Sequence, residues 1–188
     1  QILELDLSGA MLAYSKRFQA TESPEKKLPI KTLQVQGDIE NLPIKKSSVD
    51  LIFSNLSAQW CDDLDDFFNE CARTLVIGGK VFLSTLIHGT LFELKYAWSM
   101  VDTGVHVNRF KSLSKLQQGY EQAGLVLDNC YEVDEVQYFD DLRDLLKSIK
   151  KIGAHNMNPQ RAQGLLGKNK YKRFSEAYEG FKTNKDQY

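Results

Sequence analysis

The sequence predicts an α/β protein built on a mostly parallel sheet with helices on both faces. Three observations predict it. Short apolar runs alternate with helical periodicities along most of the 188 residues. The apolar run Val49-Asp50-Leu51-Ile52-Phe53 ends in Ser54-Asn55, as a buried strand does when it delivers small polar groups at its C-terminal edge. The run Thr32-Leu33-Gln34-Val35-Gln36 ends in Gly37-Asp38-Ile39-Glu40-Asn41-Leu42-Pro43, with an acid in the loop. Right-handed crossovers place the loops that follow such strands on one edge, where open α/β sheets bind ligands.

Taken in order, Ile2 to Ser8 predicts a strand ending at Asp6, with Ser8 capping a helix from Gly9 to about Gln19. Met11, Leu12, Tyr14 and Phe18 form its expected apolar stripe. A polar loop with Pro24 leads to the strand Thr32–Gln36, and Val49–Asn55 is the third strand. Asp62 to Leu75 is the clearest helix, with Leu64, Phe67, Phe68, Cys71, Ala72 and Leu75 at intervals of three and four. Asp62 and Asp63 are expected in its first turn. Gly78-Gly79 stops it, and Lys80 to Leu86 is a fourth strand. Leu91 to Val101 reads as a helix burying Leu91, Leu94, Ala97 and Trp98; Leu113 to Ala123 is another, stopped by Gly124. Leu125–Asn129 and Tyr131–Phe139 form an extended, roughly alternating run, expected to be a strand. A helix from Asp140 buries Leu142, Leu145, Leu146, Ile149 and Ile152 and closes at Gly153. A loop rich in Asn, Pro and Gly precedes a last helix, Tyr171–Phe181.

Composition narrows the function classes. From Asp141 onward there are 11 Lys and Arg against 5 Asp and Glu, while residues 1–140 carry 13 against 20. A basic C-terminal third on an acidic body suits either an acidic partner surface or a solvated helix face; it does not suit general nucleic-acid binding. Cys61, Cys71 and Cys130 follow no metal-ligand spacing and leave no even framework, which points to a reducing, cytoplasmic setting. No run reaches the roughly 18 apolar residues of a membrane helix, and no signal peptide opens the chain. The start at Gln1, inside a strand-like run, predicts a fragment, a processed chain or an engineered piece.

Metal and nucleophile chemistry find little support. No P-loop or GxGxxG motif is present, and Gly78-Gly79 follows a helix instead of a strand. His88, His106 and His155 are scattered, which argues against zinc. Ser84 lacks the glycine-flanked elbow of a triad serine. Cys61 reads as small apolar filler. Asp6, between strand and helix, suits the two hydroxyls of a ribose, or is a plain helix-start acid. Asp38 suits the exocyclic amine of an adenine with Ile39 against the ring, or is a loop acid facing water. Together with Ser54-Asn55 on the same edge, they favour an adenosyl ligand. Trp60 either walls the pocket or belongs to the core. Arg109, in His106-Val107-Asn108-Arg109-Phe110, offers a planar fork for a carboxylate, or makes a surface ion pair.

Leu5-Asp6-Leu7-Ser8-Gly9-Ala10-Met11-Leu12, Gly37 to Pro43 and Phe53-Ser54-Asn55-Leu56 resemble the nucleoside-side motifs of class I S-adenosylmethionine-dependent methyltransferases. Ser54 to Cys61, Leu75 to Gly79, Ser84-Thr85-Leu86, Gly89-Thr90-Leu91, Glu93-Leu94, Ala97-Trp98, Val101-Asp102, His106 to Phe110 and Leu145 to Ala154 are similar to the malonyl-acyl-carrier-protein O-methyltransferases of biotin synthesis.

The resemblance implies a Rossmann-like sheet in one domain over residues 1–188, with residues 140–181 as a helical substrate lid. In that family the first strand with its Gly-rich loop would precede Ile2 and the last strand would follow Tyr188. Without them the flanking strands are expected to stand without a shared neighbour, with weak cofactor binding. The implied cofactor is S-adenosylmethionine, held by Asp6, Leu7, Met11, Asp38, Ile39, Asn55 and Leu56. Gln59, Trp60, His106 and Arg109 are substrate-binding candidates. The implied reaction esterifies the malonyl carboxylate on acyl carrier protein, and the acidic carrier would dock on the basic C-terminal segment. No metal, no catalytic base, no nucleic acid and no membrane are implied, and the chain would act as a monomer. The nucleophile is already ionised, so alignment and exclusion of water would do the catalysis. The broader alternatives are another small-molecule carboxyl or carbon methyltransferase of this fold, or a non-catalytic interaction module.

Overall fold

The computed structural model describes residues 1–21, 30–151 and 167–182. The strands are β1 (Ile2–Asp6), β2 (Thr32–Gln36), β3 (Val49–Asn55) and β4 (Leu75–Ser84). The helices are α1 (Gly9–Thr21), α2 (Leu64–Thr74), α3 (Phe92–Ser99), α4 (Leu113–Gln122), α5 (Leu142–Lys151) and α6 (Lys168–Tyr178). The chain forms two compact units. One comprises Gln1–Ile87 with Lys111–Asp128, the other His88–Phe110 with Asn129–Tyr188.

In the first unit β1 and β2 pair in parallel, Ile2 opposite Thr32 through Asp6 opposite Gln36. The Ser8 hydroxyl accepts from Met11 N at 3.3 Å and starts α1, as its cap position predicts. Glu4 on β1 fastens the helix to the sheet: it accepts from the Ser15 hydroxyl and from Gln34 Nε2, which also donates to Leu12 O at 2.7 Å. Of the expected apolar stripe only Leu12 is buried; Met11, Tyr14 and Phe18 are each more than half exposed. Two strands about 5 Å apart are too narrow to cover a helix about 10 Å across.

β3 and β4 also pair in parallel, from Leu51 opposite Lys80 to Asn55 opposite Ser84. Contrary to expectation β4 begins at Leu75, directly after α2, because Leu75 is buried and pairs with Val49. Between those pairs Val76 to Gly79 form a bulge in β4, where Gly78 takes a left-handed φ of +80°. Asp63 is the N-cap of α2, accepting from Asp65 N at 2.8 Å, so the first-turn acids are Asp65 and Asp66, not Asp62 and Asp63. The apolar face of α2 packs as its spacing predicts: Leu64, Phe67, Phe68 and Cys71 join Ala58, Cys61 and Leu116 in one core. A Cβ on Gly119 of α4 would lie 2.7 Å from the Phe68 ring, so α4 approaches α2 through a glycine. Lys115 and Asp65 close that contact at 2.8 Å.

Among the described residues the β1–β2 and β3–β4 ladders share no hydrogen-bonded neighbour. This meets the expectation of strands left without a common partner, and apolar residues such as Phe53, 76% exposed, lie open. The strand expected over Leu125–Asn129 and Tyr131–Phe139 does not form. Val126, Tyr131, Val133, Val136 and Tyr138 are exposed, and among the described residues no strand pairs with them. Alternation alone cannot hold an extended segment; its N–H and C=O groups need a ladder.

The second unit is helical. Leu94, Ala97, Val101, Val107, Leu142, Leu145, Phe174 and Tyr178 form its core. Trp98 is stacked on both faces, against His106 at 4.0 Å and Phe174 at 4.3 Å between ring centres. Asp102 draws three donors together: Lys170 Nζ at 2.6 Å, His106 Nε2 at 2.7 Å and Gly104 N at 2.9 Å. Chiefly the Lys170 ammonium, and then His106 and Gly104 N, hold its carboxyl far below the ordinary range. The expected burial of Ile152, the stop at Gly153, the Asn-Pro-Gly loop and the Pro24 loop lie outside the described residues.

Candidate functional site

Asp6 is the last residue of β1, and one carboxylate oxygen accepts from Ser8 N at 2.7 Å. Its backbone carbonyl accepts from Gly37 N at 3.1 Å, which extends the ladder one step and fixes where the next loop begins. Asp38 follows at once, with one oxygen accepting from Glu40 N at 2.9 Å. Both acids therefore sit at the C-terminal tips of neighbouring parallel strands. Asp38 is exposed and Asp6 half-buried, and each keeps its second oxygen clear of protein donors among the described residues. Leu7 and Met11 are exposed beside Asp6.

The Asp38 loop is held from below by α2. Glu70 accepts from Leu42 N at 2.7 Å and from Arg73 through both oxygens at 2.6 Å. Arg73 donates onward to Ile44 O at 2.8 Å and Leu42 O at 2.9 Å. The Arg73 hydrogen bonds lower the Glu70 pKa against the opposing effect of burial. Glu40, the next acid of the loop, accepts from Asp62 N and Asp63 N. These carboxylate-to-backbone bonds draw the Asp38–Ile39 loop against the segment that follows β3. Ile39 completes the contact by packing on the core around Ala58 and Leu64. Sequence reasoning missed Glu40, Glu70 and Arg73; the spacing of Glu70 and Arg73, one helical turn apart, was the available signal.

At the tip of β3, Asn55 Oδ1 accepts from the Ser84 hydroxyl, and Leu56 N donates to Ser84 O at 2.9 Å. Leu56 is exposed with a φ of +51°, a left-handed turn that a leucine adopts only where its surroundings hold it. Gln59 is tied into the loop itself: Nε2 donates to Leu56 O at 2.7 Å, and Oε1 accepts from Thr85 at 3.3 Å. Its amide therefore braces the two strand ends. Trp60 is 41% exposed, an open wall as much as a core residue. Cys61 is buried, and burial, then Glu40, Asp38 and Asp62, push its thiol up to about 12. It is inert filler at neutral pH, as its sequence context predicts. The Ser54 hydroxyl is buried without a hydrogen-bond partner among the described residues.

His106 and Arg109 belong to the second unit. His106 is half-buried between Trp98 and Asp102, and Arg109 is exposed. In the first unit Asp6, Leu7, Asp38, Ile39, Asn55, Leu56, Gln59 and Trp60 thus lie at the C-terminal ends of strands or in the segments that follow them.

The donor set suits the nucleoside half of an adenosyl cofactor. Two carboxylates with open oxygens stand at adjacent strand tips, an isoleucine is anchored beside one of them, and a shaped turn follows β3. These 188 residues hold no Gly-rich strand-to-helix loop for an amino-acid half. Among the described residues no group of His, Cys, Asp and Glu could hold a metal ion, and no helix is long and apolar enough to cross a membrane.

The profile of a methyltransferase-domain family matches residues 1–83. The malonyl-[acyl-carrier protein] O-methyltransferase of Hahella chejuensis is 44% identical over 174 residues, covering 93% of this chain and 59% of that protein. The chain is related in sequence to the malonyl-[acyl-carrier protein] O-methyltransferases. A biotin biosynthesis bifunctional protein of Cellvibrio japonicus is 43% identical over 179 residues, 95% of this chain and 34% of that one. The chain thus spans less than two thirds of these relatives. Among solved structures, the YcgJ protein of Bacillus subtilis superposes with a TM-score of 0.56 at 18% identity, over 98% of this chain and 69% of that one. The geranyl diphosphate C-methyltransferase of Streptomyces coelicolor gives 0.50 at 17%, over 95% and 59%. The fold is therefore the reduced Rossmann-like methyltransferase core with C-terminal helices.

Proposed function

We propose that this chain serves S-adenosylmethionine-dependent methylation of the free carboxylate of a malonyl group carried on acyl carrier protein. The product would be the methyl ester that enters the pimeloyl precursor of biotin. The observation that carries the proposal is the pair Asp6 and Asp38 on adjacent strand tips, in a chain whose relatives bear the name of that reaction. Asp6 would accept from the ribose hydroxyls, and Asp38 from the adenine amine, with Leu7, Met11, Ile39 and Leu56 packed about the nucleoside and Asn55 beside it. When bound, the cofactor supplies a methyl group on a sulfonium, a good leaving group.

The chain's own residues have little proton transfer to perform, because a malonyl carboxylate is ionised at neutral pH. Their work is positioning: the Glu40 and Glu70–Arg73 bonds fix the Asp38 loop, and Gln59 fixes the loop after β3 with Trp60 beside it. Arg109, an exposed guanidinium, would pair with the substrate carboxylate. His106, braced by Trp98 and Asp102, would hold the segment that carries Arg109. The protein partner is an acidic carrier docked on the basic C-terminal segment, in the cytoplasm, where three free thiols are stable.

The test is methyl transfer from labelled S-adenosylmethionine to malonyl- and acetyl-acyl carrier protein. Labelling of the malonyl form alone, lost in Asp6→Ala and Asp38→Ala, is expected. Equal labelling of both carriers, or full activity in both variants, would refute it.

A further inference from the structure

Residues 103–110 form neither helix nor strand, so side chains set the path of this segment. Asp102 gathers its first half. Oδ1 accepts from Gly104 N at 2.9 Å and pairs with His106 Nε2 at 2.7 Å, which folds the chain back over one carboxylate. A Cβ on Gly104 would lie 2.9 Å from that oxygen and 3.1 Å from His106 Nε2, so the fold-back is built around a glycine. The His106 ring lies within 11° of parallel to Trp98, and Val107 enters the core. Arg109 follows, exposed, and makes no ion pair among the described residues.

The other oxygen of Asp102 is engaged from far along the chain. Lys170 Nζ donates to Oδ2 at 2.6 Å from α6, 68 residues later. Lys170 stands in the first turn of α6, where the helix dipole disfavours a cation, so its partner there is Asp102 and not its own helix. Two more contacts tie α6 to the same end of α3: Arg173 donates to Met100 O at 2.7 Å, and Phe174 stacks on Trp98. A carboxylate held at both oxygens has one orientation, and it aims His106. It also offers no unoccupied oxygen to the neighbouring guanidinium.

We propose that Lys170 is a positioning residue: through Asp102 and His106 it sets the segment that presents Arg109, so recognition of an ionised carboxylate depends on α6; this rests on the role proposed above for Arg109. A guanidinium displaced by about 1 Å loses much of its bidentate geometry, although neither Lys170 nor Asp102 touches the substrate.

The test compares the affinity of the chain for malonyl-acyl carrier protein with that for the methyl ester of the same carrier, read by fluorescence anisotropy. The two ligands share every carrier contact, so the ratio of their dissociation constants isolates the carboxylate. Wild type should prefer the ionised form about tenfold, as one charge-assisted pair allows. Lys170→Met and Asp102→Asn should each cost malonyl affinity at least about threefold while leaving that of the ester unchanged. Lys170→Arg, which keeps the charge and the reach, should retain the wild-type ratio. The two substitutions together should cost no more than the larger single loss, because they break one contact. The Lys170 side chain is 51% exposed, so Lys170→Met is expected to fold, and urea unfolding checks each variant. A brace that only stabilises the fold would lower both affinities alike, or neither. Either result, with Arg109→Ala still abolishing the preference, would overturn the inference and leave the Arg109 role standing. No preference in wild type, or one that Arg109→Ala leaves intact, would overturn both. Neither measurement needs methyl transfer, so failure of the reaction would be seen separately.

Discussion

Replacing Phe174 by alanine should remove most of the stability of the helical unit. The side chain is 0% exposed, and its ring stacks on Trp98 and lies 5.8 Å from Tyr178. A buried phenylalanine removes about 150–250 Å² from water, worth about 4–6 kcal/mol as an upper bound. Large-to-small series give about 3–5 kcal/mol for the same change, cavity included. A unit of about 80 residues holds on the order of 4–12 kcal/mol in all. A loss near 4 kcal/mol therefore brings it close to unfolding at room temperature. Phe174→Leu keeps most of the apolar area and loses the stack, so about 1–2 kcal/mol is expected. The assay is urea unfolding followed by Trp98 fluorescence in a Trp60→Phe background, which leaves Trp98 as the sole indole. A cost below about 1 kcal/mol for the alanine variant, or equal costs for alanine and leucine, would refute the reasoning. Either result would mean that Phe174 and Trp98 do not share a packed interior.

Acid should weaken the same unit through Asp102. Its folded pKa is depressed by Lys170, His106 and Gly104 N, so its contribution is complete above the unfolded value of about 3.9 and is lost as the pH falls below it. Urea unfolding repeated from neutral pH downward should show an acid limb that Asp102→Asn flattens, and an unchanged limb would exclude the triple contact. Thiol titration offers a further check. Burial pushes Cys61 and Cys71 up to about 12, while Cys130 is exposed. One thiol should react quickly with a disulfide reagent near pH 8 and all three after denaturation; two or more fast thiols in the native state would show that the α2 core is open.

Local sequence specified much of the fold because the relevant forces act over a few residues. The intervals of Leu64, Phe67, Phe68 and Cys71 announce α2, Ser8 and Ser112 cap their helices, and Gly124, at a φ of +78°, stops α4. The placement of Asp6 and Asp38 at the ends of apolar runs was equally legible, since parallel strands feeding right-handed crossovers put such residues on one edge. The proposal that they hold a nucleoside adds chemistry to that placement.

Other features depended on partners that no local pattern can name. Tyr131 to Phe139 alternates like a strand, yet no ladder among the described residues receives it. Met11, Tyr14 and Phe18 form a proper helical stripe, yet a two-stranded sheet cannot cover it. The Gln59 amide meets Leu56 O and Thr85, and the Glu70–Arg73 helical pair meets Leu42 and Ile44, partners that no local pattern names. The sequence by itself determined the helices, the strand ends and the acids upon them, because propensity, capping and periodicity are set by neighbours along the chain. Only the tertiary structure decided which polar groups remain open and which apolar faces are covered, because hydrogen bonds and burial are settled by residues distant in sequence that come to lie alongside.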